Sequence, residues 1–193
     1  MPCLIDAGAV FDCANISPGG INKIVMMYNW EEWRAMVDAG DVTYDVDGVI
    51  TGIVNALNVQ AYRFTTPDNS GIIPSVTLES QTGNVNMYTH ALNLSVQDTS
   101  QAARNNVDIM RVQPMVAIII KNNGYGEIWG QEQGMILQNV PYNSQDPVTG
   151  NMLPIELATD PEGAKETHLP ATIFNTDAAT TKALILGLET PGV

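Results

Sequence analysis

Apolar residues recur along this chain at two spacings, which divide it into many short strands and a few helical stretches. Over residues 84–97, Tyr88, His90, Leu92, Leu94 and Val96 alternate with Thr89, Ala91, Asn93 and Ser95. A period of two places the first set on one face of a strand and the second on the other. Residues 21–28, rich in branched side chains, predict a strand entered from the turn signal Ser17-Pro18-Gly19-Gly20. Residues 57–65 predict another, with Leu57, Val59 and Ala61 set against polar neighbours until Pro67-Asp68-Asn69-Ser70-Gly71 breaks the pattern. Residues 42–46 and 49–54 flank Asp47-Gly48, a dipeptide that tolerates positive φ and predicts a hairpin. Trp30, Trp33 and Val37 stand at helical spacing and predict one short helix or helical turn.

Asp98-Thr99-Ser100 carries helix-capping chemistry for a helix over residues 100–112, whose Ala103, Val107 and Met110 form one stripe, and Pro114 ends it. Residues 115–121 read as a buried strand, Asn122-Asn123-Gly124 as a turn and residues 126–130 as the returning strand. Further on come a polar loop at 142–151, a strand at 153–159 and a charged turn at 160–165. The stretch 172–188 closes with Ala183-Leu184-Ile185-Leu186-Gly187-Leu188, read as closing a sheet or docking on a neighbour. The expected fold is mainly β: an antiparallel β-sandwich or barrel with one flanking α-helix. It forms a single domain over residues 1–193, with a β core at 1–140 and C-terminal strands and an arm at 141–193.

Composition narrows the function classes. A chain of 193 residues suits one domain, and 45% hydrophobic with 15% charged residues excludes a coiled coil or a charged disordered tail. Eight Lys and Arg against 21 Asp and Glu give a net charge of -13. Tight binding to a phosphate backbone needs clustered cations, so nucleic acid and acidic membranes are poor partners. The longest apolar run, residues 115–120, is far too short to cross a bilayer. Met1-Pro2-Cys3-Leu4-Ile5-Asp6 has no basic region ahead of an apolar one, so a chain that stays in the cytoplasm is expected. Cys3 and Cys13 match neither a disulfide framework nor a zinc motif, and read as ordinary thiols.

Nothing in the sequence spells out catalysis. The nucleophile elbow, the P-loop and the HExxH helix are missing. His90 falls on the apolar face of the clearest strand, where a hydrogen-bonded histidine at a sheet edge or interface is expected; His168, beside Leu169-Pro170, reads as solvent-facing. Gly124-Tyr125-Gly126 belongs to a hairpin and not to a dinucleotide loop, because no helix pattern follows it. Asp45-Val46-Asp47-Gly48 resembles part of a calcium loop, but Ala56 holds the position of the closing glutamate. Glu31, Glu32, Asp160, Glu162 and Glu166 read as solvated charged faces. Trp30, Trp33 and Trp129 offer a sugar-stacking platform as the alternative to helix and strand packing. No catalytic, cofactor-binding or metal-ligating residue is assigned, and no enzyme activity is expected.

The layout nevertheless resembles a known family. The features run in order: Cys3 and Cys13 in a short opening, Gly19-Gly20-Ile21-Asn22-Lys23-Ile24 leading into a strand, Asp47-Gly48-Val49-Ile50, then Tyr62 to Phe64. They continue with Tyr88 to Val96 before the helix at 100–112, and with Met115 to Ile120, Asn123-Gly124 and Glu127 to Gly130. Over residues 3–140 this arrangement is similar to the tail tube and tail ring subunits of tailed bacteriophages. The resemblance implies a structural virion protein, assembled in the host cytoplasm, that forms a homo-oligomer of stacked hexameric rings and meets other tail and head–tail connector proteins. Viral DNA would pass through the lumen without specific binding. The resemblance further implies that residues 84–96 and 115–130 form the ring's sheet with the helix on its outer side, and that acidic side chains from Asp41 to Asp47 or in the carboxyl-terminal region line the lumen. A head–tail adaptor or stopper ring and a β-sandwich carbohydrate-binding module are the alternatives.

Overall fold

A computed structural model describes residues 20–54, 59–66, 71–80, 86–96, 98–142 and 152–189. Cys3, Cys13, Ser17-Pro18-Gly19, the stretch holding Ala56 and Leu57, the turn at 67–70 and residues 143–151 lie outside the described residues. The described chain is mainly β, built as two sheets with three helices.

The first strand, β1 (Ile21–Asn29), runs directly into α1 (Trp30–Ala39), and β2 (Val42–Tyr44) pairs with β3 (Ile50–Ile53) through the expected Asp47-Gly48 turn. Asp45 Oδ1 accepts the Asp47 and Val49 amides at 2.9 Å each, so that motif is a side-chain-stapled turn, as its composition suggests. Then come β4 (Tyr62–Thr65), β5 (Ile73–Ser80), β6 (Asn86–Val96) and α2 (Gln101–Ile109), where the Ser100 side chain accepts the Ala103 amide at 3.2 Å. The hairpin of β7 (Met115–Lys121) and β8 (Gly126–Trp129) turns at Gly124, whose φ of 87° and contact with Ala178 admit no side chain. The chain ends with β9 (Ile136–Asn139), β10 (Leu153–Ala158), β11 (Ala171–Ile173) and α3 (Ala178–Gly187).

The seven-stranded sheet has the order β2-β3-β11-β8-β7-β1-β4 and the four-stranded sheet the order β5-β6-β10-β9. Pairing is antiparallel except between β11 and β3. Central β7 explains how the layers stack. Its Met115, Ala117 and Ile119 join the core shared with Leu92, Leu94, Ile155 and Leu157 of the smaller sheet. Val116, Ile118 and Ile120 face the opposite way, into a second core with Trp33 and Met36 of α1 and Ile185 of α3. Both faces are covered, so the strand reads as an unbroken apolar run. The result is an open sandwich with α1 and α3 on the outer face of the larger sheet, while Val107 and Met110 beside α2's end join the inter-sheet core.

Several expectations change. Three helices form: α1 where a short helix or turn is expected at Trp30–Val37, α2 as the expected flanking helix, and α3, which is not expected. The apolar run at 183–188 belongs to α3, because Asp177 caps a helix there through the Thr180 amide at 2.8 Å, and Thr181 and Ile185 then fall four apart on the buried side. Of the strand expected at 57–65, the described residues from Val59 on are regular only over β4. The helix expected over 100–112 is regular only to Ile109. Residues 84–96 and 115–130 do not share one sheet: β6 belongs to the smaller sheet, β7 and β8 to the larger.

Candidate functional site

Perturbed ionisable groups gather where β6, the turn after β8 and the segment following β10 meet. His90, 2% exposed, has both ring nitrogens engaged: the Gly130 amide donates to Nδ1 at 3.1 Å, and Nε2 lies 3.0 Å from the His168 carbonyl oxygen. An acceptor at Nδ1 requires the proton on Nε2, so the ring is the neutral Nε2–H tautomer. Burial pushes its pKa down to about 4. The Trp129 ring packs edge-on at 5.5 Å. This is the hydrogen-bonded histidine expected, although β6 lies inside its sheet and not at an edge.

The glutamate expected to be solvated is buried. Glu166 is 1% exposed, and its two carboxylate oxygens accept the backbone amides of Glu132 and Gln133 at 3.0 Å each. Burial pushes its carboxyl above the usual range despite those two bonds. Its own backbone pairs with Tyr88. Next to it, Lys165 is buried too, donating to the Asp160 carbonyl at 3.1 Å and lying 3.5 Å from the Glu79 carboxylate. At the rim, Glu132 accepts the Thr167 amide and hydroxyl and sits 2.7 Å from His168 Nδ1, whose ring is largely exposed as expected.

Threonine, histidine and glutamate thus come together, but the geometry is that of a clasp. Thr167 and Glu132 both meet the same imidazole nitrogen, and the hydroxyl has the carboxylate itself as acceptor, whereas a relay needs base and orienter on opposite ring nitrogens. What the cluster accomplishes is to fasten residues 130–134 to residues 165–168. No sequence spacing announces it, because Glu132 and Glu166 lie 34 residues apart and are brought together by β10 returning through the smaller sheet.

Burial takes Trp33 and Trp129 out of any sugar-stacking platform. Trp33 is fully covered beneath α1, Trp129 is 5% exposed, and Trp30 is partly covered with the Arg34 guanidinium 5.4 Å from its ring. Among the described residues no group of three His, Cys, Asp or Glu gathers as metal ligands, and no helix is long and apolar enough to cross a membrane.

The outward-facing features are charge and open strand edges. Asp45, Asp47 and Val46 stand exposed at the β2–β3 turn. Several cations are already engaged: Lys121 with Glu127, Arg63 with Glu189 at 3.5 Å, Lys165 with Glu79, Arg104 over the Tyr142 ring. The acidic excess is therefore left facing solvent. Among the described strands β5 bonds on one side only, to β6 over eight residue pairs, while Ile73 and Leu78 are 59% and 55% exposed. Comparison of the chain with protein-family models, with curated proteins and with solved structures finds no match in any of the three.

Proposed function

We propose that this protein is a structural virion subunit that assembles into stacked rings forming the tail tube of a tailed bacteriophage, a conduit for the genome. The observation that carries the reading is the free edge of β5: eight residues long, unpaired on its outer side among the described strands, and furnished with exposed Ile73 and Leu78. Edges of this kind invite pairing with another chain unless blunted, and a heterologous contact repeated around an axis closes a ring. The acidic surface suits the same role. Duplex DNA carries a negative charge about every 1.7 Å, so a lumen lined by residues such as Asp45 and Asp47 repels its cargo and does not retain it. The ionisable cluster around His90 supports a structural role, since its bonds serve to hold loops.

Electron microscopy and sedimentation of the purified chain test the proposal. Rings or tubes are expected at high concentration or on nucleation by other tail components. Monomers that persist under both conditions sink it. A head–tail adaptor or stopper shares these contacts, and copy number per particle separates it from a tube: one ring against many.

A further inference from the structure

The two segments that the cluster fastens bring no apolar side chain to either core. Gly130-Gln131-Glu132-Gln133-Gly134 has none to offer, and in residues 160–168 Pro161 and Ala164 are both exposed. Their anchorage is polar and runs through ionisable groups. His90 reaches both segments from β6, through the Gly130 amide and the His168 carbonyl oxygen. Glu166 and Glu132 tie the segments to each other. The Gly134 amide closes the first segment on the Gly130 carbonyl at 2.9 Å, and these glycines hold φ of 72° and 75°. The turn is therefore a self-contained unit between two residues with wide backbone freedom.

Beneath the second segment lies a strand edge. β10 pairs with β6 as far as Ala158 opposite Ala91, and the Thr159 amide still reaches the His90 carbonyl. The chain then turns away over residues 160–165, and Glu166 returns to exchange both backbone bonds with Tyr88, at 2.9 and 3.0 Å. Glu166 covers the part of β6 that β10 leaves bare.

We propose that the two segments form an acid-released latch: a proton on His90 frees residues 130–134 and 165–168 together while both sheets stay folded, and uncovers the β6 edge at Tyr88. A protonated ring is a charge in a buried place and sets a donor against the Gly130 amide. The charged and titratable groups of the cluster come from three sides. They are Glu132 from the turn after β8, Lys165, Glu166 and His168 from the segment after β10, and Glu79 from β5, which accepts the Thr89 hydroxyl and meets Lys165. Burial works against the Glu132 carboxylate, yet the Thr167 bonds hold it below the usual range, so its protonation loosens the closed form as well. Glu166, raised by burial, opposes them, since the closed form takes up a proton there as pH falls. His90 alone multiplies the opening equilibrium about thirtyfold between about pH 7 and about pH 5. The latch does not depend on ring assembly.

Hydrogen exchange on the full chain tests it. The amides of Tyr88, Glu132, Gln133 and Thr167 report the latch, and those of Ile118 and Ile119 in β7 report global unfolding. At about pH 5 the latch amides are expected to exchange at least about tenfold faster than the β7 pair, and to ignore low concentrations of urea that speed exchange in β7. Equal protection and equal urea response in the two groups overturn the proposal, because the ring would then take its proton only on unfolding. His90→Gln supplies a second arm. The ratio of latch-amide protection at about pH 7 to that at about pH 5, corrected for intrinsic rates, is expected to be at least about tenfold larger in the unsubstituted chain than in this variant. The same ratio in both chains overturns the assignment to His90.

Discussion

His90 shows how one residue sets the acid response of this protein. Folded, its pKa is about 4, against 6.5 when free of the fold. Between those values the unfolded chain binds a proton that the folded one refuses, because burial disfavours the charged ring, and a protonated Nδ1 would also face the Gly130 amide, donor against donor. Stability is therefore full above about pH 6.5 and falls as pH drops toward 4. Going from about pH 7 to about pH 5, this residue alone is expected to remove about 2 kcal/mol, read from urea unfolding at each pH. Glu166 acts in the opposite sense, since its carboxyl is raised: the unfolded glutamate ionises first, and stability falls as pH rises through that range. His90→Gln should consequently flatten or invert the slope, and a slope unchanged in that variant would show that His90 does not set it. Sequence reading placed His90 on the apolar face but missed Glu166, for a charged run reads as solvated unless the partners that bury it are known. Those partners are two backbone amides, which leave no mark in a sequence.

At the scale of elements, β5 is both the strand hardest to read and the one with the clearest consequence. Its alternation is weak and interrupted by Pro74, because among the described residues its only strand partner is β6. The Tyr88 amide bonds Glu166 and the His90 carbonyl accepts from Thr159, so even-numbered residues of β6 point away from β5. From the register, odd-numbered residues of β5 bond to β6, and the amides of Val76 and Leu78 face outward. Pro74 sits at such an outward position, where its missing N–H breaks no ladder bond. Leu78→Pro is thus expected to keep the fold while removing an edge donor, abolishing rings and tubes in micrographs; Thr77→Pro, one residue away, should break the β5–β6 ladder and lower the unfolding midpoint. Assembly by a folded Leu78→Pro chain would show that this edge is not the contact. The run at 183–188, read as closing a sheet or docking on a neighbour, departs from expectation for a different reason. An apolar run of that length fits either element, and the decisive signal is the Asp177 cap upstream.

For the molecule as a whole, charge repulsion among copies is the force that the proposed assembly has to overcome. A net charge of -13 on each subunit opposes any close ring. Added salt shortens the screening length from about 30 Å at 0.01 M to about 8 Å at 0.15 M, so assembly is expected to speed up across that interval, followed by light scattering. Assembly that slows with salt would mean that attraction between opposite charges drives the contact and not edge pairing. The same scale separates what each level of description supplies. Sequence by itself determined the mainly β character, the Asp47-Gly48 and Asn123-Gly124 turns, the Ser100 cap and the buried β7 strand, because periodicity, turn chemistry and capping act over a few neighbouring residues. Only the tertiary structure decided that β6 and β7 lie in different sheets, that β11 slots between β3 and β8, and that Glu166 closes on residues 130–134. Those outcomes depend on which distant surfaces cover one another, and a local pattern records that a face is to be buried without recording what will bury it.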